Sequence, residues 1–225
     1  MPKRNKNKHD ANITFSLNPR IIRKENRIYT QTDFNKSVYG EHIYRENGKY
    51  YREWIPERSK LSAAILKGLR FFPMTSEFNV LYLGASSGTT VSHVSDIVYD
   101  GKIYAVEIGY EPFSKLLNLA QSRKNIYPIL EDANHIERYE FFIDGVDMIY
   151  QDISQRNQVQ IFNENVKSFS PKYAFFVLKT RSIKSSERGD KILKDSKDAL
   201  SIYTVKQIVD LRPYDYDNYF IYLEI

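Results

Sequence analysis

The sequence contains no cysteine, which excludes disulfides and thiolate-held metals and leaves the redox compartment open. Its four histidines, His9, His42, His93 and His135, share no ligand-like spacing, so no structural metal is expected. Long apolar runs are missing too. The longest, such as Ala174 to Leu178, has the length of a strand, and the basic N-terminus is not followed by an apolar stretch. Neither a membrane span nor a secretory route is expected, and the chain is read as cytoplasmic. An excess of one charge is also largely absent from the body. The formal net charge is +5, but Lys3, Arg4, Lys6 and Lys8 supply four of those charges, leaving +1 for the remainder. A contact with nucleic acid by the body therefore has to come from local clusters.

What is present suits one large domain with a small N-terminal appendage. The 225 residues are 42% hydrophobic and 27% charged, as in soluble globular proteins. Residues 1–10 read as a disordered basic tail. Residues 11–55 read as a small antiparallel β module, with short runs at 13–17, 27–29 and 42–44 and an Asn47-Gly48 hairpin turn. Its Tyr39, Tyr44, Tyr50 and Tyr51 alternate with Arg45, Lys49 and Arg52. That pattern suits either bases stacked beside phosphate contacts or a small aromatic core, and strand propensity favours the core.

From residue 56 onward the pattern becomes regular. A helix is expected over 58–70, opened by Pro56 and closed by Pro73, with Leu61, Ala64, Ile65 and Leu69 on one face. Strands are expected at 80–83, 103–108, 126–130, 147–151, 173–178, 205–211 and 219–223, and helices near 90–98, 113–123, 136–142, 158–168 and 188–200. This alternation predicts an α/β, doubly wound, seven-stranded and mostly parallel sheet over 56–225. Residues 212–218 are too few for a crossover, so the last strand should run antiparallel.

The first of these strands ends in Gly84-Ala-Ser-Ser-Gly-Thr-Thr90, a turn followed by a helix start. Glycines permit close approach of a ligand, and the helix amides favour an anionic or polar one. The stretch fails the dinucleotide fingerprint, having Ser86 and Thr89 where glycines are needed. It matches the nucleophile elbow at Ser86, but a following acid and histidine in the required order, and an oxyanion loop, are missing. The remaining reading is the glycine loop of methyltransferases that bind S-adenosylmethionine. Glu107 ends the second strand, where a carboxylate can accept both ribose hydroxyls, and Asp132, Asp152 and Lys179 end the next three. Four charged residues at one sheet edge after a glycine loop point to a cofactor-binding enzyme.

Several runs together resemble one family: Tyr39-Gly-Glu41, Tyr51-Arg-Glu-Trp54, Arg58-Ser-Lys-Leu61, the whole of Val80 to Asp96, Tyr104-Ala-Val-Glu107, Asn125 to Ile129, and Tyr150-Gln-Asp152. From about Tyr39 onward the chain looks like fibrillarin, in the shorter archaeal form that lacks a glycine-arginine-rich extension. The resemblance implies a Rossmann-like S-adenosylmethionine-dependent methyltransferase fold. It also implies guide-directed methylation of ribose 2′-hydroxyls in rRNA and tRNA within a box C/D ribonucleoprotein. The implied partners are the guide RNA, a Nop-domain scaffold protein and a kink-turn-binding protein. The implied cofactor residues are Gly84, Ala85, Thr89, Thr90, Glu107, Ile108, Asp132, Ala133, Asp152, Ile153, Ser154 and Gln155.

For the chemistry the resemblance implies Lys60, Asp152 and Lys179, three members of the family's tetrad. Two nearby lysines can depress each other's pKa while a carboxylate between them opposes the shift. Lys179 is expected to orient or deprotonate the hydroxyl, with Asp152 positioning it and Lys60 stabilising negative charge. The fourth tetrad position falls on Asn218, which carries no charge. Arg156, Ile108 and Lys184 also depart from the family pattern. Arg181, Lys184 and Arg188, beside Lys179, form an expected RNA contact. Two rivals stay open: a stand-alone methyltransferase on a small molecule or protein side chain, and a structural subunit that has lost its chemistry.

Overall fold

The structure, a computed structural model, describes residues 18–225. The basic tail expected at 1–10 and the strand expected at 13–17 lie outside these residues. The described chain begins with β1 (Ile21–Lys24), β2 (Arg27–Thr32), β3 (Ile43–Glu46) and β4 (Lys49–Glu53), an antiparallel sheet ordered β1-β2-β4-β3. Asn47 and Gly48 both take positive φ between β3 and β4, the backbone whose twist suits a two-residue hairpin. The run at Ile21 was not anticipated, because four residues ending in Arg23-Lys24 carry little apolar pattern.

The tyrosines of this sheet pack on one another. Tyr44 stacks on Tyr51 at 5.2 Å and meets Tyr29 edge-on at 5.1 Å. Arg52, by contrast, is fully buried and touches no solvent, so it cannot grip phosphate. It pairs with Glu41 and with Asp96, each at 2.7 Å, and Asp96 pairs on its other oxygen with buried Arg123, also at 2.7 Å. Thr30 and Thr32 donate to the same Asp96 carboxylate. Trp54 stacks on His93 at 4.9 Å, and Ile21, Ile28 and Trp54 join the core of the large sheet. The small sheet is therefore fastened to the rest by a buried ion network as well as by apolar packing.

The large sheet comprises β5 (Val80–Leu83), β6 (Ile103–Glu107), β7 (Ile126–Leu130), β8 (Met148–Gln151), β9 (Tyr173–Lys179), β10 (Thr204–Asp210) and β11 (Asn218–Glu224), in the order β10-β11-β9-β8-β5-β6-β7. β9, β8, β5, β6 and β7 pair in parallel, and β11 runs antiparallel to both of its neighbours, as its short connection predicts. Side chains alternate between faces. Val80, Tyr82, Tyr150, Phe175 and Val177 face α1 (Lys60–Leu66), α2 (Thr89–Ile97) and α3 (Tyr110–Ser122). Leu81, Leu83, Ile149, Phe176 and Leu178 face α4 (Gln158–Phe169), whose Ile161, Phe162 and Val166 complete the second core. Burial on both faces explains why these strands read as continuous apolar runs.

Two expected helices differ. The helix expected over 58–70 is a 3-10 turn at Pro56–Arg58 followed by α1, which stops before Gly68 at a positive φ of 93°. Residues 136–142 form two 3-10 turns, Ile136–Arg138 and Glu140–Phe142, because buried Tyr139 interrupts the segment to reach Asn165 and the Ala133 carbonyl. The chain between β9 and β10 holds a short α5 (Thr180–Ile183) and α6 (Gly189–Ala199). Among the described residues no helix is long and apolar enough to cross a membrane.

Candidate functional site

The glycine loop joins β5 to α2 at the carboxyl edge of the parallel strands. Gly84 takes φ +83°, and a Cβ there would lie 2.6 Å from the Asp152 carbonyl oxygen. Gly88 takes φ +88° and caps α2, where a Cβ would lie 2.6 Å from Leu119. Both positions require glycine, for backbone angle and for room. Glu107 holds the loop from the next strand. Its carboxylate accepts from the Ser86 amide and from the Gly109 amide, each at 2.7 Å. Two further acceptor sites remain on those oxygens.

A cavity of about 330 Å³ opens above this edge. Of the expected cofactor residues it is lined by Gly84, Glu107, Ile108, Ala133, Asp152, Ile153, Ser154 and Gln155, with Ser86, Glu131 and Lys179 beside them. The other four lie off its wall. Ala85 is buried beneath the loop, and Thr90 is buried and donates to Ser59 Oγ at 3.0 Å. Thr89 faces a separate depression on the α3 side. Asp132 braces the rim: it accepts from the Asn134 amide and side chain, and Asn134 donates to Gln155 at 2.7 Å. Partial burial opposes ionisation of Asp132, but the hydrogen bonds from Asn134 and Gln155 outweigh it and hold the carboxyl below its usual range.

At the other end of the cavity Asp152 gathers the charges. Lys60 lies 3.2 Å from its Oδ2 and Lys179 lies 2.7 Å from its Oδ1. Lys179 also donates to the Asp152 carbonyl at 3.1 Å and to Ser154 Oγ at 2.9 Å. Burial pushes the Asp152 carboxyl up, yet the two ammoniums outweigh burial and hold it below the carboxylate range. At Lys60 the opposing effect of the carboxylates prevails. Burial lowers its pKa, but Asp152 and Asp215 raise it above the ordinary lysine value. Lys60 is therefore held as an ammonium between two carboxylates.

Two residues absent from the sequence reading complete the cluster. Asp215 places Oδ2 3.6 Å from Lys60 and accepts on Oδ1 from Asn218 Nδ2 at 2.6 Å. The acid next to the cluster is thus three residues before Asn218, in the β10–β11 loop. Buried Gln158, at the start of α4, accepts from the Lys179 amide at 2.9 Å and donates to its carbonyl at 3.1 Å, which fixes the end of β9. A glutamine on a helix gives no sequence signal for such a role, whereas the acids of the Tyr-Asp-Tyr-Asp run that holds Asp215 are such a signal.

The expected basic contact residues are exposed, but each has a carboxylate neighbour. Arg181 pairs with Asp217 at 2.6 Å, Lys184 with Glu187 at 3.4 Å and Arg188 with Asp190 at 2.8 Å. The nucleophile-elbow reading finds no support around Ser86. His93 is buried against Thr30 and Tyr39, and burial with Arg52 and Arg123 nearby pushes its pKa well below the usual value. His135 pairs with Glu137 instead.

Comparison with known proteins fits this geometry. The family model described as Fibrillarin matches residues 9–225. A fibrillarin-like rRNA/tRNA 2′-O-methyltransferase of Thermoplasma volcanium is 58% identical over 207 residues, covering 92% of this chain and 93% of that protein. The crystal structure of Aeropyrum pernix fibrillarin with natively bound S-adenosyl-L-methionine aligns with TM-score 0.81 at 38% identity, covering 90% of this chain and 92% of that one. A fibrillarin/Nop5p complex aligns with TM-score 0.85 at 39% identity, covering 91% and 97%. With the family model matched along almost its whole length and a relative of this identity, the chain belongs to the fibrillarin family.

Proposed function

We propose that this chain transfers the methyl group of S-adenosylmethionine to ribose 2′-hydroxyls of rRNA and tRNA. In this reading it is the catalytic subunit of a box C/D ribonucleoprotein, and a guide RNA selects the site. The observation that carries the proposal is Asp152, which lines the glycine-loop cavity and holds the ammoniums of Lys60 and Lys179 at the rim. The name of the T. volcanium relative supports the RNA substrate, and the A. pernix structure supports the cofactor. The fibrillarin/Nop5p complex supports a Nop-domain scaffold as partner. A kink-turn-binding protein and the guide RNA complete the proposed assembly.

The cavity residues suit the cofactor. Gly84 lets the loop pass close against Asp152 along the cavity wall, the free acceptor sites of Glu107 suit ribose hydroxyls, and Ile108 and Ala133 offer apolar flanks to a base. When bound, S-adenosylmethionine supplies an activated methyl group on a sulfonium. The task left to the chain is the RNA hydroxyl, a poor nucleophile that must be aligned and must lose its proton. Lys179, fixed through Asp152, Ser154 and Gln158, orients the hydroxyl, whose proton passes to solvent as the oxygen takes up the methyl group. Lys60, held charged between Asp152 and Asp215, stabilises negative charge growing on the oxygen. Because Asp215 brings a carboxylate to the cluster, Asn218 no longer argues for a subunit without chemistry.

The test is transfer of labelled methyl to a target RNA with reconstituted partners and guide, beside the same target carrying a 2′-deoxy nucleotide at the selected site. Label that requires both the guide and the hydroxyl is expected. Label on the 2′-deoxy target, or on protein or a small molecule without RNA, would overturn the proposal.

A further inference from the structure

A second cavity of the described residues lies outside the cofactor site. It is an open groove of about 740 Å³ between the loop after β2, residues 34–39, and the outer side of α3. It ends at Arg58 and at Ser87 and Thr89 of the glycine loop. Its charged lining residues are Lys36, Arg58, Lys115 and Arg123, and no carboxylate side chain lines it. By contrast, the exposed cations after Lys179 each have a carboxylate neighbour.

The four cations are not equivalent. Arg123 is buried, committed to Asp96, and covered by the Phe34 ring at 4.2 Å from its guanidinium, so it contributes field and no direct grip. Lys115 pairs with Glu111 across one helical turn, with both side chains exposed, an interaction weak enough to exchange for another anion. Lys36 and Arg58 are exposed, and among the described residues neither has an ion-pair partner. The Ser87 hydroxyl and the Asn118 amide line the wall between them, while the Ser37 hydroxyl already donates to Glu41. The chemistry suits a chain of phosphodiesters, which needs spaced cations with hydroxyl and amide donors.

We propose that this groove carries the phosphate backbone of RNA beside the reacting nucleotide, through Arg58, Lys36 and Lys115. This inference rests on the RNA-methylation reading above. Arg58 stands two residues before Lys60, and Ser87 and Thr89 of the groove belong to the same loop as Gly84 and Ser86 of the cofactor cavity, so the groove adjoins the site on that side. A protein partner is the less favoured occupant, since the lining offers few apolar side chains beyond Phe34, Val38, Tyr39 and Leu119.

The experiment measures binding of a single-stranded oligoribonucleotide to the full chain, across a salt series, for wild type and for Lys36→Ala/Arg58→Ala/Lys115→Ala. Lys124→Ala, another exposed lysine, is the control. Losing three phosphate contacts should flatten the salt slope by about 2 and weaken binding on the order of 100-fold at 0.1 M salt. Calorimetric affinity for S-adenosylmethionine and the thermal midpoint should stay at wild-type values, which separates a binding loss from misfolding. An unchanged slope in the triple variant, with wild type binding RNA and transferring methyl, would overturn the groove while leaving the methyltransferase reading intact. Loss of scaffold-protein association with an unchanged RNA slope would make the groove a protein face and also overturn it. If wild type transfers methyl to a substrate other than RNA, the methylation reading itself fails.

Discussion

Asp152→Asn is the most informative single change, because one carboxylate holds both lysines. At 3.2 Å and an effective dielectric near 20, its gross attraction for Lys60 is about 5 kcal/mol, from which dehydration of both groups subtracts. Asparagine keeps the shape and removes this attraction from both ammoniums at once. Lys60 then retains only Asp215, which is 3.6 Å away with its side chain 30% exposed, so solvent screens it. Single-turnover methyl transfer should fall about 100- to 1000-fold, the loss typical of removing one group aimed at transition-state charge. Asp215→Asn should cost less, about 3- to 10-fold, because the pair it breaks is longer and wetter. Cofactor affinity and thermal midpoint measured on the same variants separate chemistry from binding and folding. If Asp152→Asn kept more than half the wild-type rate, or if Asp215→Asn were the more damaging change, the assignment of Asp152 as organiser would be wrong.

Other perturbations test the frame around that cluster. Asp96→Ala removes the acceptor of Arg52, Arg123, Thr30 and Thr32 and strands two buried guanidiniums, so it should destabilise by about 3–5 kcal/mol. For a chain of this size that is roughly a 10 °C fall in thermal midpoint, and a fall under about 2 °C would refute the network's role. Gly84→Ala forces a Cβ against the Asp152 carbonyl at a positive φ, so calorimetry should find S-adenosylmethionine affinity reduced at least about tenfold. Acid should destabilise through several carboxylates together. Asp152, Asp132 and Glu41 all have depressed folded pKa values; at Glu41 burial pushes upward but Arg52 and backbone amides outweigh it. Their contribution is complete above the unfolded values near 4 and is lost as pH falls through the folded ones. Urea unfolding should therefore give a flat stability from about pH 7 to 5 and a steep decline below about 4, shallower in Asp152→Asn.

Much of the sheet was legible because its strands are buried on both faces, and a run such as Ala174-Phe-Phe-Val-Leu178 has no other good use. The residues ending those strands were legible for the related reason that a charge after such a run marks the sheet edge, and Glu107, Asp152 and Lys179 all meet at or beside the cavity. The attachment of the small sheet was not legible. Arg52, Asp96 and Arg123 look like solvated charges in the sequence, and only the fold brings them together out of water. The same fact reinterprets the motifs that carried the family resemblance. Glu41, Arg52, Trp54, His93 and Asp96 belong to those runs, yet they form the buried joint between the sheets and line no part of the cofactor cavity.

Asn218 and Asp215 meet at one corner of the cluster, one from a ladder and one from a loop. Within a strand, position along the chain fixes position in space, and Asn218 does lie across the ladder from Lys179. The family resemblance assigns the fourth tetrad position to Asn218, which the structure makes the first residue of β11 although the strand is expected from 219. A loop obeys no such rule. The chain between β10 and β11 folds back so that Asp215, three residues earlier, reaches Lys60, while the Asn218 side chain turns to donate to that carboxylate. The strand residue thus becomes the brace and the loop residue supplies the charge. Exchange of roles of this kind is available wherever a polar strand terminus and an acidic loop share one sheet edge. Charge at such a site is better sought over the whole loop than at one aligned position.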